Sequence, residues 1–389
     1  MITREDIREL AAFQSNGDGC ALSFYFQPRT PQNKSHREEA ILAKDLIRQA
    51  MRETEKHGKN SCGRDDFDRI LEIAGRLHGN QARAKAVFAA STKKIWREFD
   101  LPPHLAGTQL FVNRRFHLKP LAALLGAQPR LCVALVDRQR GRFFDLRLDE
   151  LKERGALFHN LPRGRSEGYA GYDGGHVDRR FANEARAHYK SVADRLKDEV
   201  EHGLWEKLVV GCHDTHWSEF ESHLHPYVKQ RLLGHFPADV ASLTLDQVRD
   251  HANHALHVSQ EHRRETLVHE TLGLAKGNGR AVTGLRRVLR SLELGEVQTL
   301  FLGDSYTARA VECGSCGHVD SHMVPYCVAC GKATRDLEDV CDAMIPMAIR
   351  RDIELFYVKN DPAFDKVGNI AALLRFRADK SGSHMAVAS

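Results

Sequence analysis

The chain has 389 residues, 42% of them apolar and 28% charged. That composition excludes a wholly disordered chain, a collagen and a disulfide mini-protein, and the length suits two or three domains. The net charge of +5, from 57 Lys and Arg against 52 Asp and Glu, is compatible with RNA or DNA contact without demanding it, because many metabolic enzymes are as basic.

No run approaches the ~18 consecutive apolar residues that a membrane helix needs, and the first residues lack a secretory apolar core. A cytoplasmic protein with no membrane partner is expected. Five of the nine cysteines, Cys20, Cys62, Cys132, Cys212 and Cys341, stand alone, unlike a secreted disulfide framework.

In chain order, Thr3 with Asp6 marks a helix N-cap. Residues 1–127 read as a mixed α/β segment. The spacing predicts strands at 21–26, 86–90 and 109–112, helices at 36–56 and 65–78, and a short helix after Phe116. A new rhythm opens at Arg130. Leu131–Asp137 is a continuous apolar run of buried-strand type, and Gly141 turns it into a hairpin with 142–146. Residues 158–178 hold five glycines with Arg163 and Arg165 and read as an irregular loop, which in a compact domain is usually functional or mobile. A strong helix is expected over 179–202, a buried strand at 207–211, and helices at 217–233 and 245–276. The break at Lys276–Gly279 closes this middle segment, taken as 128–270. The last segment, 271–389, reads as helix 282–294, strand 297–302, a cysteine cluster, helix 336–349, and strands at 353–358 and 371–376. Its last dozen residues read as frayed.

The cysteine cluster is the strongest local signal. Cys313 and Cys316 form one CxxC pair, Cys327 and Cys330 another, with ten residues between them. Each pair can chelate one ion, and two such knuckles complete a tetrahedral sulfur site for one structural zinc ion. Gly317 and Gly331 follow the pairs, where tight turns are needed. A redox pair is the alternative. The ribbon, 313–331, is expected to prop up a loop that contacts a partner.

A second constellation is Gly174-Gly175-His176, flanked by Arg163, Arg165, Arg179, Arg180, Arg186 and Lys190. Paired glycines let backbone approach a crowded ligand, and the cations suit phosphates. A plain solvent loop is the alternative. His251, His254 and His257, three apart on one helix, read as a solvated or packed face rather than a metal site. Cys212-His213 is too close in sequence for a nucleophilic dyad. The chain has no Walker A loop, no GxGxxG and no HExxH.

Together these features resemble the archaeal and eukaryotic class I release factors and their relative Pelota, and most closely their bacterial branch, which includes the hibernation factor Balon. The most specific segments are Gly174-Gly175-His176 through Phe181 and Tyr189, Val282-Thr283-Gly284 through Leu292, Gly295 and Val297, and Val367-Gly368-Asn369-Ile370 through Phe376. The resemblance implies a three-domain α/β architecture: a decoding-site-like domain, a middle domain whose Gly-Gly loop enters the peptidyl-transferase centre, and a domain similar to kink-turn-binding proteins with the zinc ribbon inserted. It implies binding to both ribosomal subunits through rRNA, with Arg163, Arg165, Arg179, Arg180, Arg186 and Lys190 as rRNA contacts. It also implies contact with a translational GTPase such as EF-Tu, and a monomer off the ribosome.

The departures from the family pattern bear on activity. Release factors carry Gly-Gly-Gln, and His176 stands where that glutamine belongs. At the stop-codon motifs, Asn33-Lys34-Ser35 is one residue short of Asn-Ile-Lys-Ser. Leu110, Val112 and Phe116 keep only the phenylalanine of Tyr-x-Cys-x-x-x-Phe. Two functions follow: a non-catalytic factor that fills a vacant A site in hibernation or rescue, or a codon-independent peptidyl-tRNA hydrolase using His176. An RNA-binding protein acting off the ribosome is the third. The missing glutamine favours the first.

Overall fold

The computed structural model describes residues 2–14, 20–27, 36–56, 63–76, 84–101, 107–125, 129–147, 150–159 and 174–378. The fold is mixed α/β, as the patterning implies, with four sheets among the described residues. The chain divides into two compact units, Met1–Ala127 with Arg264–Ser389, and Gln128–Arg263. The second approximates the expected middle segment; the expected first and third segments cluster into one unit. Among the described residues, no helix is long and apolar enough to cross a membrane.

The first unit opens with α1 (Arg4–Ala12), β1 (Ala21–Phe26), α2 (His36–Lys56), α3 (Arg64–Arg76), β2 (Lys85–Ala90), β3 (Ile95–Asp100), β4 (Gln109–Asn113) and α4 (Lys119–Leu125). The Thr3 capping box is present: its side chain accepts from the Asp6 N–H while the Asp6 carboxylate accepts from the Thr3 N–H. The strands form an antiparallel sheet in the order β3-β2-β1-β4. Strand β1 is buried on both faces, which is why Ala21–Phe26 is apolar except for Ser23, whose hydroxyl accepts from the His117 N–H. Cys20, expected to stand alone, is disulfide-bonded.

The second unit comprises β5 (Leu131–Val136), β6 (Arg140–Arg147), β7 (Glu150–Phe158), α5 (Gly174–Glu201), β8 (Lys207–Cys212), α6 (Asp214–His223), α7 (Pro226–Lys229), β9 (Leu232–Pro237) and the first part of α8 (Leu245–Lys276). Its sheet runs β7-β6-β5-β8-β9, antiparallel through the hairpins and parallel across β5, β8 and β9. The apolar faces of α5 and α6 cover one side of this sheet and the start of α8 the other. The helix expected at 217–233 is broken. His225 caps a new turn with Pro226 at its first position, and Leu232–Pro237 is an edge strand.

The remainder of the first unit is β10 (Ala281–Thr283), α9 (Leu285–Glu293), β11 (Val297–Gly303), β12 (Ala310–Cys313), β13 (Val319–Asp320), β14 (Thr334–Leu337), α10 (Cys341–Arg350), β15 (Glu354–Val358), α11 (Pro362–Asp365) and β16 (Ile370–Leu374). One sheet runs β10-β16-β11-β15, and a small one, β13-β12-β14, carries the cysteines. Val282, expected in a helix, lies in β10, and α10 begins at Cys341 rather than 336 because β14 holds 334–337.

A single apolar core joins the two ends of the chain. Ile7, Leu10, Phe13, Phe116 and Leu121 pack in one cluster with Leu292, Leu300, Met344, Ile345 and Leu355. Polar contacts support it. The Asp342 carboxylate lies 3.0 Å from His117 Nδ1 and accepts from Asn113 Nδ2 at 2.9 Å, and Arg8 pairs with Asp352. Lys119 Nζ donates to the Asp304 carbonyl at 2.6 Å.

In the second unit, His188 on α5 is fully buried, with its Nδ1 3.2 Å from His159 Nδ1 and, among the described residues, no side-chain hydrogen-bond partner at Nε2. Burial pushes its pKa below the ordinary 6.5, with the His159 ring adding to the shift. The unfolded chain therefore takes up this proton first as pH falls. Stability is full above about pH 6.5 and declines below it. Thermal melts between pH 7.5 and 5.5 are expected to show this decline, and His188→Gln to flatten its slope; an unchanged slope would exclude His188 as its source.

Candidate functional site

The short strands β12, β13 and β14 bury little apolar surface beyond Ala310, Val311 and Val319. The loops between them carry the four cysteines. Cys313 Sγ lies 3.4 Å from Cys330 Sγ, and Cys316 Sγ lies 3.6 Å from Cys327 Sγ. All four sulfurs fall within 4.8 Å of one another. Tetrahedral Zn–S bonds of about 2.3 Å place sulfurs about 3.8 Å apart, so the quartet has the dimensions of a one-ion site.

The two knuckles repeat one backbone pattern. In the first, the Ser315 N–H donates to Cys313 Sγ at 3.4 Å, and the Gly317 N–H to the Cys313 carbonyl at 3.1 Å. In the second, the Ala329 N–H donates to Cys327 Sγ at 3.4 Å, and the Gly331 N–H to the Cys327 carbonyl at 2.8 Å. Gly317 and Gly331 sit at φ +73° and +72°, which glycine adopts without a Cβ penalty. The N–H groups of Cys316 and Ser315 lower the Cys313 thiol below its ordinary pKa, which favours the thiolate form that a metal ion binds. Four aligned sulfurs with shared N–H donors suit metal ligation rather than a two-cysteine redox exchange. A metal ion can be held by Cys313, Cys316, Cys327 and Cys330.

The site is anchored next to its first ligand. Glu312 has only 2% of its side chain exposed, and its carboxylate accepts from Arg115 and, at 2.8 Å, from Arg335. Burial opposes the charged form, but these two guanidinium groups outweigh it and hold the carboxyl below its usual range. Glu312 and Arg115 were not legible as a pair, because no local pattern links positions 197 residues apart.

The backbone of Gly174, Gly175 and His176 forms the first turn of α5, five residues before the expected start at Arg179. This corrects the reading of those three residues as loop; glycine costs a helix least at its end. Arg186 Nε pairs with Glu219 of α6 at 3.2 Å, and Lys190 is exposed on the same helix. Arg163 and Arg165 lie outside the described residues, as do Asn33, Lys34 and Ser35. Phe116, expected at a decoding surface, is a core residue at 1% exposure, its ring 4.7 Å from Phe13 and 5.4 Å from Phe88. An aromatic ring there closes the apolar core and faces no solvent.

The other candidates take their bland readings. Cys212 is buried, its thiol pushed up to about 12, which removes it as a nucleophile. His251 stacks on Phe236 at 4.6 Å, and His257 lies 3.8 Å from Glu261. Among the described residues, only the cysteine quartet groups three or more potential metal ligands.

Residues 117–257, which span α4 through the first part of α8, match the model described as Bacterial archaeo-eukaryotic release factor family 10. Over that segment the chain is similar to the bacterial archaeo-eukaryotic release factors. It is 23% identical over 309 residues to the peptide chain release factor subunit 1 of Pyrococcus abyssi, covering 71% of this chain and 74% of that protein. The corresponding protein of Thermococcus onnurineus is 22% identical over 331 residues, covering 77% of this chain and 78% of the relative. Archaeoglobus fulgidus Pelota is a similar solved structure, with TM-score 0.37 and 12% identity, covering 96% of this chain and 93% of that one.

Purified protein is expected to contain one metal ion per chain in a stoichiometric metal assay. Cys313→Ser should lose it and loosen the ribbon while leaving the Gln128–Arg263 unit folded. Metal-free wild type with an intact ribbon would contradict this.

Proposed function

We propose that this chain is a ribosome-binding translation factor that occupies the vacant A site, in hibernation or rescue, without hydrolysing peptidyl-tRNA. The observation that carries the reading is the release-factor match over 117–257, which includes Gly174-Gly175-His176 with histidine in place of the hydrolytic glutamine. In this reading the glycine pair lets the start of α5 come close to rRNA, and Arg163, Arg165, Arg179, Arg180, Arg186 and Lys190 meet phosphates. His176 fills space at the peptidyl-transferase centre. Buried Phe116 and the shortened Asn33-Lys34-Ser35 segment argue against stop-codon reading. The metal of the cysteine quartet is zinc in a structural role, since a closed four-thiolate set leaves no open position for substrate. A translational GTPase such as EF-Tu is the proposed delivery partner, and the protein acts in the cytoplasm.

Phosphate contacts release counterions, so binding falls steeply with salt. Arg179→Glu with Arg180→Glu is expected to weaken co-sedimentation with bacterial ribosomes at physiological salt. Unchanged pelleting would remove this helix from the interface.

Wild type is expected to release no labelled peptide from stalled ribosomes above background. His176→Ala should change ribosome occupancy only by the ~1 kcal/mol of one hydrogen bond. Rapid release by wild type, with a loss on the order of 10²–10⁴ in His176→Ala, would instead make His176 a general base and the protein a hydrolase.

A further inference from the structure

Beside the cysteine ribbon lies a cavity of about 620 Å³ that metal ligation does not use. Arg115, from the turn after β4, lines it together with Arg350 and Arg351 at the end of α10. The first knuckle, Gly314–Gly317, and the Glu312 carboxylate complete the wall.

The three guanidinium groups are not equally compensated. Arg115 is committed to Glu312, which Arg335 shares. Arg351 donates to the Leu292 and Glu293 carbonyls at the end of α9. Arg350 is exposed, and its side chain has no hydrogen-bond or ion-pair partner among the described residues. Partial desolvation of its guanidinium and then the neighbouring Arg115 and Arg351 disfavour its charge, against a smaller favourable effect of Glu312. One carboxylate, Glu312, faces the three guanidinium groups of this cavity and is already paired with Arg115 and Arg335, so the wall keeps an excess of positive charge that suits an external anion.

The chemistry of the wall narrows that anion. Guanidinium groups and the Ser315 hydroxyl present donors matched to phosphate oxygens. No aromatic ring lines the cavity, so a nucleobase finds no stacking platform. We infer that this cavity is a phosphodiester-backbone site for structured RNA, read without regard to base sequence and separate from the Gly-Gly-His turn. The identity of that RNA as ribosomal rests on the proposed function. A four-thiolate zinc centre carries a formal charge of about −2 and competes for the same cations, so the test must separate metal from RNA.

Full-length, metal-loaded protein is titrated against a fluorescein-labelled ribosomal RNA hairpin by anisotropy at several salt concentrations, with metal content measured on each sample. Arg350→Ala is expected to weaken binding roughly tenfold at physiological salt and to reduce the slope of log affinity on log salt by about 0.9, one phosphate contact. Arg350→Lys should keep the slope, and both variants should keep their metal. Unchanged affinity and slope in Arg350→Ala would overturn the inference. So would loss of metal with RNA binding intact, which would assign the arginines to the metal centre. Arg350-dependent binding of adenosine monophosphate without binding of the hairpin would overturn it too, in favour of a small phosphate ligand. If wild type fails to pellet with ribosomes while hairpin binding stays Arg350-dependent, the ribosomal reading falls and this site stands.

Discussion

Four cysteine sulfurs within 4.8 Å of one another form a constraint that a cation held between them can satisfy. Strands of four, two and four residues bury too little apolar surface to order themselves. A metal ion on the four sulfurs would supply what the core lacks and would fix the path of β12. Residue 312 precedes the first ligand on that strand, so the same register delivers the Glu312 carboxylate to Arg115 and Arg335.

That buried carboxylate links the ribbon to the opening segment of the chain. Removing one partner of such a group leaves an uncompensated charge, which costs far more than a surface ion pair contributes. The contact belongs to a wider seam in which Asp342, Asp352 and Asp304 meet His117, Arg8 and Lys119 around one apolar core. The first unit is therefore built from both ends of the chain, with the Gln128–Arg263 unit inserted between them in sequence. Such an insertion leaves the inserted unit with its own sheet and its own two apolar layers.

Local pattern carried much of this. Helix α2 runs over 36–56 and α8 over 245–276, the ranges read as helical from the sequence, and the cysteine spacing named all four potential ligands. Strands β3 and β9 were illegible for identifiable reasons. Ile95–Asp100 is largely charged because it is an edge strand, and Leu232-Leu233 continues the apolar rhythm of the preceding helices until Gly234 and Pro237. Phe116 matched a surface motif by position, but only packing reveals that its ring is interior. The union of the two ends had no local signal, since its contacts span 185 to 344 residues. The arginine cavity is the product of that same union.

The central claim is that this chain fills a ribosomal A site with the start of α5 directed at the peptidyl-transferase centre. The most direct measurement is a cryo-electron microscopy map of the full-length protein on vacant bacterial ribosomes. The account predicts density for the Gln128–Arg263 unit with Gly174-Gly175-His176 at the peptidyl-transferase centre and no cleaved peptidyl-tRNA. Density confined to another site, or an empty A site at saturating protein, would contradict it.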